Sequence, residues 1–381
     1  MMSENTFVGR VWSWGLAVGL GTVVVLASGL SGCLTSGASD EAYSVSVLGD
    51  MHYDAAPPEK YHAKKLASCA KNGNLQPPCL KEFTRNAKMW EDICKRILAS
   101  ASAVRRPDAA FALQLGDLVQ GDCEDGALHT QMLAEATGLL EGAFPNLPIV
   151  SLCGNHDIRG DGARAAYERY MIPYTTRQLA GLAPNGVGST TYGFRRGKDL
   201  WIVLDFNRGP RHADIVRKLL ADNPDVRYTF VVTHGPVLPM ELWRKSRWFY
   251  LGEAKHDALR REMRALLAKR NAIVLAGHVH SLELKDWYGD GGRITEMVLN
   301  TCAGKGDGTY FPAEPKVVSE DPATYGSWGE PELFGEYRPG IRRYFTSHAV
   351  GHYVLRVSDA GVRLDYYGHD ARTPTREFVL R

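Results

Sequence analysis

The sequence predicts an α/β fold, and three observations carry that prediction. Short apolar runs rich in β-branched residues recur along the chain, among them YSVSVLG from Tyr43, AAFALQLG from Ala109 and LWIVLDF from Leu200. Runs this short and this continuous suit strands buried on both faces. Amphipathic segments lie between several of them, and strands alternating with helices argue a layered architecture. Third, five of the runs end in Asp, Asn or His, at the edge where open α/β sheets place their ligands.

The elements follow in order. Arg10 precedes VWSWGLAVGLGTVVVLASGL, an uncharged run that passes into LSGC at Leu30 to Cys33. An apolar stretch ending in small residues reads as a secretory signal over residues 1–32, although the run is also long enough to span a membrane. LSGC resembles the bacterial lipobox. The resemblance implies cleavage before Cys33, lipidation of that cysteine, and anchoring to a membrane of the bacterial cell envelope. Residues 33–42 then form the lipidated Cys33 and a small, polar, flexible tether.

Residues 43–381 read as one domain with insertions near 53–80 and 302–344. After the strand at Tyr43, residues from Tyr53 to about Leu80 are rich in Pro, Lys and Asn. FTRNAKMWEDICKRILASA places Phe83, Ala87, Trp90, Ile93, Ile97 and Leu98 at helical spacing. Further strands are read from Ala109, Leu147, Leu200, Val226, Asn271 and Ile294, with an amphipathic helix over Lys255 to Arg270. Cys302 to about Tyr344 is rich in Gly, Pro and aromatics and reads as a second long loop. GHYVLRVS and GVRLDYYG predict an antiparallel hairpin around Asp359-Ala360-Gly361.

Composition excludes little. A net charge of +2 gives no electrostatic footprint for nucleic acid. Six cysteines follow Cys33, none at C-x-x-C spacing. Cys94 falls on a helix face as a core residue. Cys69 with Cys79, and Cys123 with Cys153, are candidate disulfides.

The polar residues after the strands are specific. The first run is followed by Asp50-Met51-His52, the second by Gly116-Asp117, and the third by Gly154-Asn155-His156-Asp157. YTFVVT leads to His234-Gly235, and AIVLA to Gly277-His278-Val279-His280. Carboxylate, amide and imidazole donors without thiolate suit Mn, Fe, Zn, Ni or Co. On an extended segment, the one-residue skip in Asp50-x-His52 and His278-x-His280 would aim both side chains the same way.

In this order, D-x-H, G-D, G-N-H-D, H and G-H-x-H resemble the calcineurin-like metallophosphoesterase family, over roughly Val45 to His280. The resemblance implies two facing mixed β-sheets flanked by helices, with a dinuclear centre at their edge. It assigns Asp50, His52 and His280 to one divalent ion and Asn155, His234 and His278 to the other, with Asp117 bridging. It implies hydrolysis of a phosphomonoester or phosphodiester by a two-metal-activated hydroxide, with His156 as general acid and Asp157 orienting the His156 ring. The alternative is a non-catalytic envelope lipoprotein that binds metal or a phosphorylated ligand. The partner in either case is a small phosphorylated molecule, not nucleic acid. One local variation is GDLVQGD, where Gln120 lies in the region in which many members carry a further acidic residue.

Other residues receive plainer readings. Asp122, Glu124 and Asp125 read as a solvated loop. Arg342 and Arg343 read as solvent-facing or structural rather than as a bidentate clamp on a substrate phosphate, and Tyr53 as a packing residue. Trp287, Tyr288, Tyr310, Phe311, Tyr325 and Trp328 are candidates for lining a substrate cap.

Overall fold

The computed structural model describes residues 42–54, 88–123, 125–182, 185, 188–240, 249–302, 312–327 and 329–381. The expected signal, Cys33 and its tether up to residue 41, the insertion from residue 55, and Cys69 and Cys79 lie outside the described residues. Ser39–Arg381 form one compact unit. No helix among the described residues is long and apolar enough to cross a membrane.

The unit is built on two mixed sheets. In the first, β1 (Tyr43–Leu48), β2 (Ala109–Gln114) and β3 (Ile149–Ser151) run parallel. The chain's end completes it: β12 (Gly351–Ser358) pairs antiparallel with β1, followed outward by β13 (Gly361–Gly368) and β14 (Arg376–Val379). The second sheet has the order β10-β11-β8-β9-β7-β6-β5-β4. Its strands are β4 (Tyr192–Arg196), β5 (Asp199–Leu204), β6 (Thr229–Thr233), β7 (Ile273–Ala276), β8 (Leu282–Gly289), β9 (Gly292–Val298), β10 (Lys316–Ser319) and β11 (Ile341–His348).

Pleating decides which side chains meet, because alternate residues face opposite ways. Val45 and Val47 of β1 enter a core shared with Phe111, Trp201, Phe230 and Ile273, all fully buried. Trp201 meets Phe111 edge-on at 4.9 Å and stacks on Phe230 at 4.1 Å. Its indole N–H donates to the Tyr43 hydroxyl at 3.0 Å, and that hydroxyl donates to Asp199 at 2.9 Å. The buried polar tip of each ring therefore has a partner, as burial requires.

Helices cover both outer faces. A π-helical turn (Trp90–Cys94) leads into α1 (Lys95–Ala103), which packs with α2 (Gly126–Ala143) and α3 (Ala163–Gln178) in a cluster that includes Leu48, Ala112 and Ile149. Over the second sheet lie α4 (Ala213–Asp222), α5 (Asp257–Lys269) and α6 (Pro331–Tyr337), against Leu200, Ile202, Val231 and Val274.

Several elements differ from the sequence reading. Strands β4, β8, β10, β11 and β14 lie outside the predicted runs. Much of the expected second loop is ordered, supplying β10, α6 and the start of β11. Trp287 and Tyr325 are buried in the core under α6 rather than lining a cap. Tyr288 is exposed, and Tyr310, Phe311 and Trp328 lie outside the described residues. Cys123 and Cys153 are buried free thiols, not a disulfide. Asp122 is buried and ion-paired to Arg159 rather than solvated, and Asp125 caps α2 by accepting from the Ala127 and Leu128 amides. Glu124 lies outside the described residues. Arg343 pairs with Asp286 at 2.8 Å, a structural role as expected.

Candidate metal centre

Five strands deliver the expected side chains to one edge. Asp50 and His52 follow β1, Asp117 follows β2, and Asn155 and His156 follow β3. His234 follows β6, and His278 and His280 follow β7. The first sheet thus contributes Asp50, His52, Asp117 and Asn155, and the second contributes three imidazoles.

The donors fall into two groups that share Asp117. Asp50, His52, Asp117 and His280 each bring a donor atom within 4.8 Å of the others, and so do Asp117, His234 and His278. Asn155 joins the second group, its Oδ1 lying 3.2 Å from His234 Nε2. His278 and His280 therefore serve different groups. The extended geometry expected for these pairs is absent: His52, His278 and His280 have φ of 48°, 73° and 54°, and Asp117 has 50°. Left-handed backbone at four non-glycine residues costs energy and persists only where the surroundings impose it. Clustering of that strain on the donor residues is itself a mark of a functional site.

Close packing fixes the two loops from the first sheet. Gly154 leaves no room for a side chain, since a Cβ there would lie 2.2 Å from Asp117 Oδ1. Gly116, at φ +84°, would set its Cβ 2.7 Å from His234 Nδ1.

Hydrogen bonds decide which ring nitrogens face inward. His52 Nδ1–H donates to Gln120 Oε1 at 3.0 Å, and His234 Nδ1–H donates to the Leu115 carbonyl at 2.7 Å. Each commitment turns the Nε2 lone pair toward the centre, the usual orientation of a metal-binding histidine. There, His52 Nε2 meets His280 Nε2 at 3.2 Å, and His234 Nε2 meets Asp117 Oδ2 at 3.1 Å. Each of these close pairs needs either a shared proton or a cation between its atoms. Burial disfavours charge on His234, yet Asp117 and Asp50 outweigh it and lift its pKa to about 9, so a proton can take the cation's place. Burial pushes His278 down to about 3 and His280 to about 4, which keeps both rings neutral as ligands must be. The donor set, its burial and its imbalance fit a pair of divalent cations.

Beside this centre, His156 Nδ1–H donates to the Gln120 carbonyl at 3.0 Å, and its Nε2 lies 3.1 Å from Arg159 Nη1. The expected role of Asp157 needs correction. Its carboxylate accepts from the Val119 amide at 3.0 Å and the Gly154 amide at 2.8 Å, and it is the Gln120 carbonyl that orients His156. Consecutive residues on the 3-10 turn at His156 project on different sides, so adjacency in sequence did not mean contact. Asp157 instead ties the loops after β2 and β3 together. Gln120, which holds two histidines, and Arg159, which the buried Asp122 carboxylate holds in place, were missed. The only sequence signal for either was position within the motif blocks.

Residues 43–282 match the model of the calcineurin-like phosphoesterase family. The chain belongs to that family. This phosphoesterase has the fold of a solved dimetal phosphatase from Danio rerio, with a TM-score of 0.50 and 11% identity over 89% of this chain and 99% of that one. A solved structure of PhoD is also similar, at a TM-score of 0.49 and 11% identity, over 89% of this chain and 68% of that one. No curated protein sequence matches the chain. Family membership makes the protein a phosphoester hydrolase, and the two donor groups are its candidate dinuclear centre.

Proposed function

We propose that the enzyme hydrolyses a phosphomonoester or phosphodiester of a small molecule, using two divalent cations and His156 as general acid. The observation that carries this reading is the convergence of lone-pair donors from both sheets around Asp117. Asp50, His52 and His280 would hold one cation, and Asn155, His234 and His278 the other. Bound there, the cations would supply positive charge to a phosphoryl group and bring the pKa of a water toward neutrality.

The chain's own groups complete the reaction. The Gln120 carbonyl fixes the His156 tautomer, so Nε2 is the nitrogen that gives a proton to the leaving alkoxide. Arg159 donates to that same Nε2 at rest, which marks it as unprotonated. An arriving phosphoester draws the guanidinium onto its oxygens and frees Nε2 to take a proton from solvent water and pass it to the leaving alkoxide. General acid help of this kind is worth about 10²–10⁴-fold. His156→Ala should keep its metal and lose about that much turnover on poor leaving groups, and less on p-nitrophenolate. Loss of metal in this variant would make His156 a ligand instead.

The same proposal includes the N-terminus. Residues 1–32 are removed, Cys33 is acylated, and residues 33–42 tether the enzyme to a membrane of a bacterial envelope. LSGC after an uncharged run supports this. Cys33→Ser should move the protein to the soluble fraction, and a variant still held at the membrane would sink the lipid anchor. The substrate is a small phosphorylated molecule rather than nucleic acid, in keeping with the near-neutral charge.

The test of the activity is metal content and turnover of the full-length chain purified without chelator. Two metals per chain, with hydrolysis of p-nitrophenyl phosphate or bis-p-nitrophenyl phosphate that EDTA abolishes, is the expected result. A folded, metal-loaded protein that turns over neither compound would overturn it.

A further inference from the structure

On the Asn155 and His278 side of the centre lies a cleft of about 780 Å³. A phosphoryl group would fill a small part of it, whereas the volume is that of a site for an organic ligand. The cleft begins where the donors end. Phe206 lines it, with its ring 5.6 Å from the His234 ring and 5.3 Å from the His278 ring. Phe249 and Leu251 add apolar wall.

The other wall is cationic, made of Arg164, Arg208 and Arg211. Two of these are already answered. Arg164 pairs with the fully buried Asp205 carboxylate at 3.2 Å, and Arg208 pairs with Glu168. Arg211 is exposed and has no ion pair among the described residues. Among the described residues the one carboxylate lining the cleft, Glu253, pairs with Lys255 at 2.6 Å. Among the described residues the cleft therefore carries an unbalanced positive charge at Arg211. Arg208 and Arg211 stand on one short turn that Asp205 caps by accepting from the Asn207 amide at 3.0 Å. The same buried carboxylate that holds Arg164 thus also sets this turn.

We propose that the organic part of the substrate occupies this cleft and carries a second anion, a phosphate or a carboxylate, bound by Arg211. The inference rests on the hydrolase reading and narrows it to small phosphoesters with an anion at each end. An ion-paired hydrogen bond to a fixed anion is stronger than a neutral one and adds about tenfold or more in affinity.

The test compares matched compounds on the Mn-loaded full-length enzyme. Fructose 1,6-bisphosphate against fructose 6-phosphate tests a second phosphate, and 3-phosphoglycerate against glycerol 3-phosphate tests a carboxylate. Rates of phosphate release are normalised to each preparation's own p-nitrophenyl phosphate rate. In parallel, calorimetric titration of the His156→Ala enzyme, in which turnover is slowed, reads binding. The expected result is that kcat/KM and affinity both favour the doubly anionic member by about tenfold or more, and that Arg211→Ala brings the ratio toward one. Whichever pair shows the preference identifies the anion. Equal values within both pairs, or a preference that survives Arg211→Ala, would overturn the proposal. If neither p-nitrophenyl compound is hydrolysed, the hydrolase reading fails, and the titration still decides whether the cleft binds the second anion.

Discussion

The cluster between β8 and β9 and the cluster at the strand ends both contain fully buried charged groups, and they differ in how their charges are answered. In the first, Lys285 lies 3.0 Å from Glu283 and 3.2 Å from Glu296, and Glu296 also accepts from the Val237 and Leu238 amides. Every charge there has an opposite charge or a donor within the fold. At the strand ends two carboxylates face a cluster of imidazoles, of which only His234 holds a proton readily, and no Lys or Arg among the described residues pairs with Asp50 or Asp117. Burial alone does not separate the two, since Glu296 and Asp50 are both fully buried. The balance of charge does: a closed ledger marks structure, and an open one marks a place for something brought from outside.

The comparison can be broken most decisively at Asp117. Asp117→Asn removes the carboxylate common to both donor groups, and it should abolish detectable turnover and lower bound metal while the far-UV spectrum stays native. Undiminished metal would mean that the two groups do not share it. Next in size is Lys285→Met. Taking one partner from a buried ion cluster costs about 3–5 kcal/mol. Urea unfolding should show that loss, with metal content per chain unchanged.

A buried imidazole of another kind sharpens the contrast. His352 stacks on Tyr367 at 4.9 Å, remote in sequence from the donor residues, and burial lowers its pKa to about 4. Its unfolded counterpart titrates near 6.5, so the unfolded chain takes up the proton first. Stability is then full above about pH 6.5 and falls as pH drops toward about 4, by on the order of 2–3 kcal/mol. The unfolding free energy of wild type minus that of His352→Gln, followed over this window, should show that slope. A flat difference would mean that the ring is not held neutral. The smallest effect is expected at Gln120, whose side chain aims one donor ring without itself being a donor. Gln120→Ala should weaken metal binding by about 10–100-fold, read by chelator competition.

These contrasts also explain what could be read from sequence. Strands β1, β2, β5, β6 and β7 carry continuous apolar runs because both faces are covered, and the ligand positions follow them directly. Strand β8, LELKDWYG, escaped because Glu283, Lys285 and Asp286 look solvent-facing until their partners on β9 and β11 are known. Hydropathy cannot see a charge neutralised by a residue distant in sequence. The same holds at the centre. Residue types and order disclosed the donors, while the role of Asp157 depends on which way a turn projects its side chains. Gln120 serves through its backbone carbonyl as well as its amide, and a carbonyl has no signature in sequence. Arg211 is distinguished only by the carboxylates that its neighbours have already taken.

The strand order of the first sheet has a consequence in time. Strand β1, which leads to Asp50 and His52, is flanked on one side by β12, and β12 to β14 come from residues 351–381. A chain still emerging from synthesis can hold all the candidate donors and yet lack half of the sheet that sets the first two. The pairing of Val45 with Leu355 that braces this strand therefore forms only after residues 351–358 have been made.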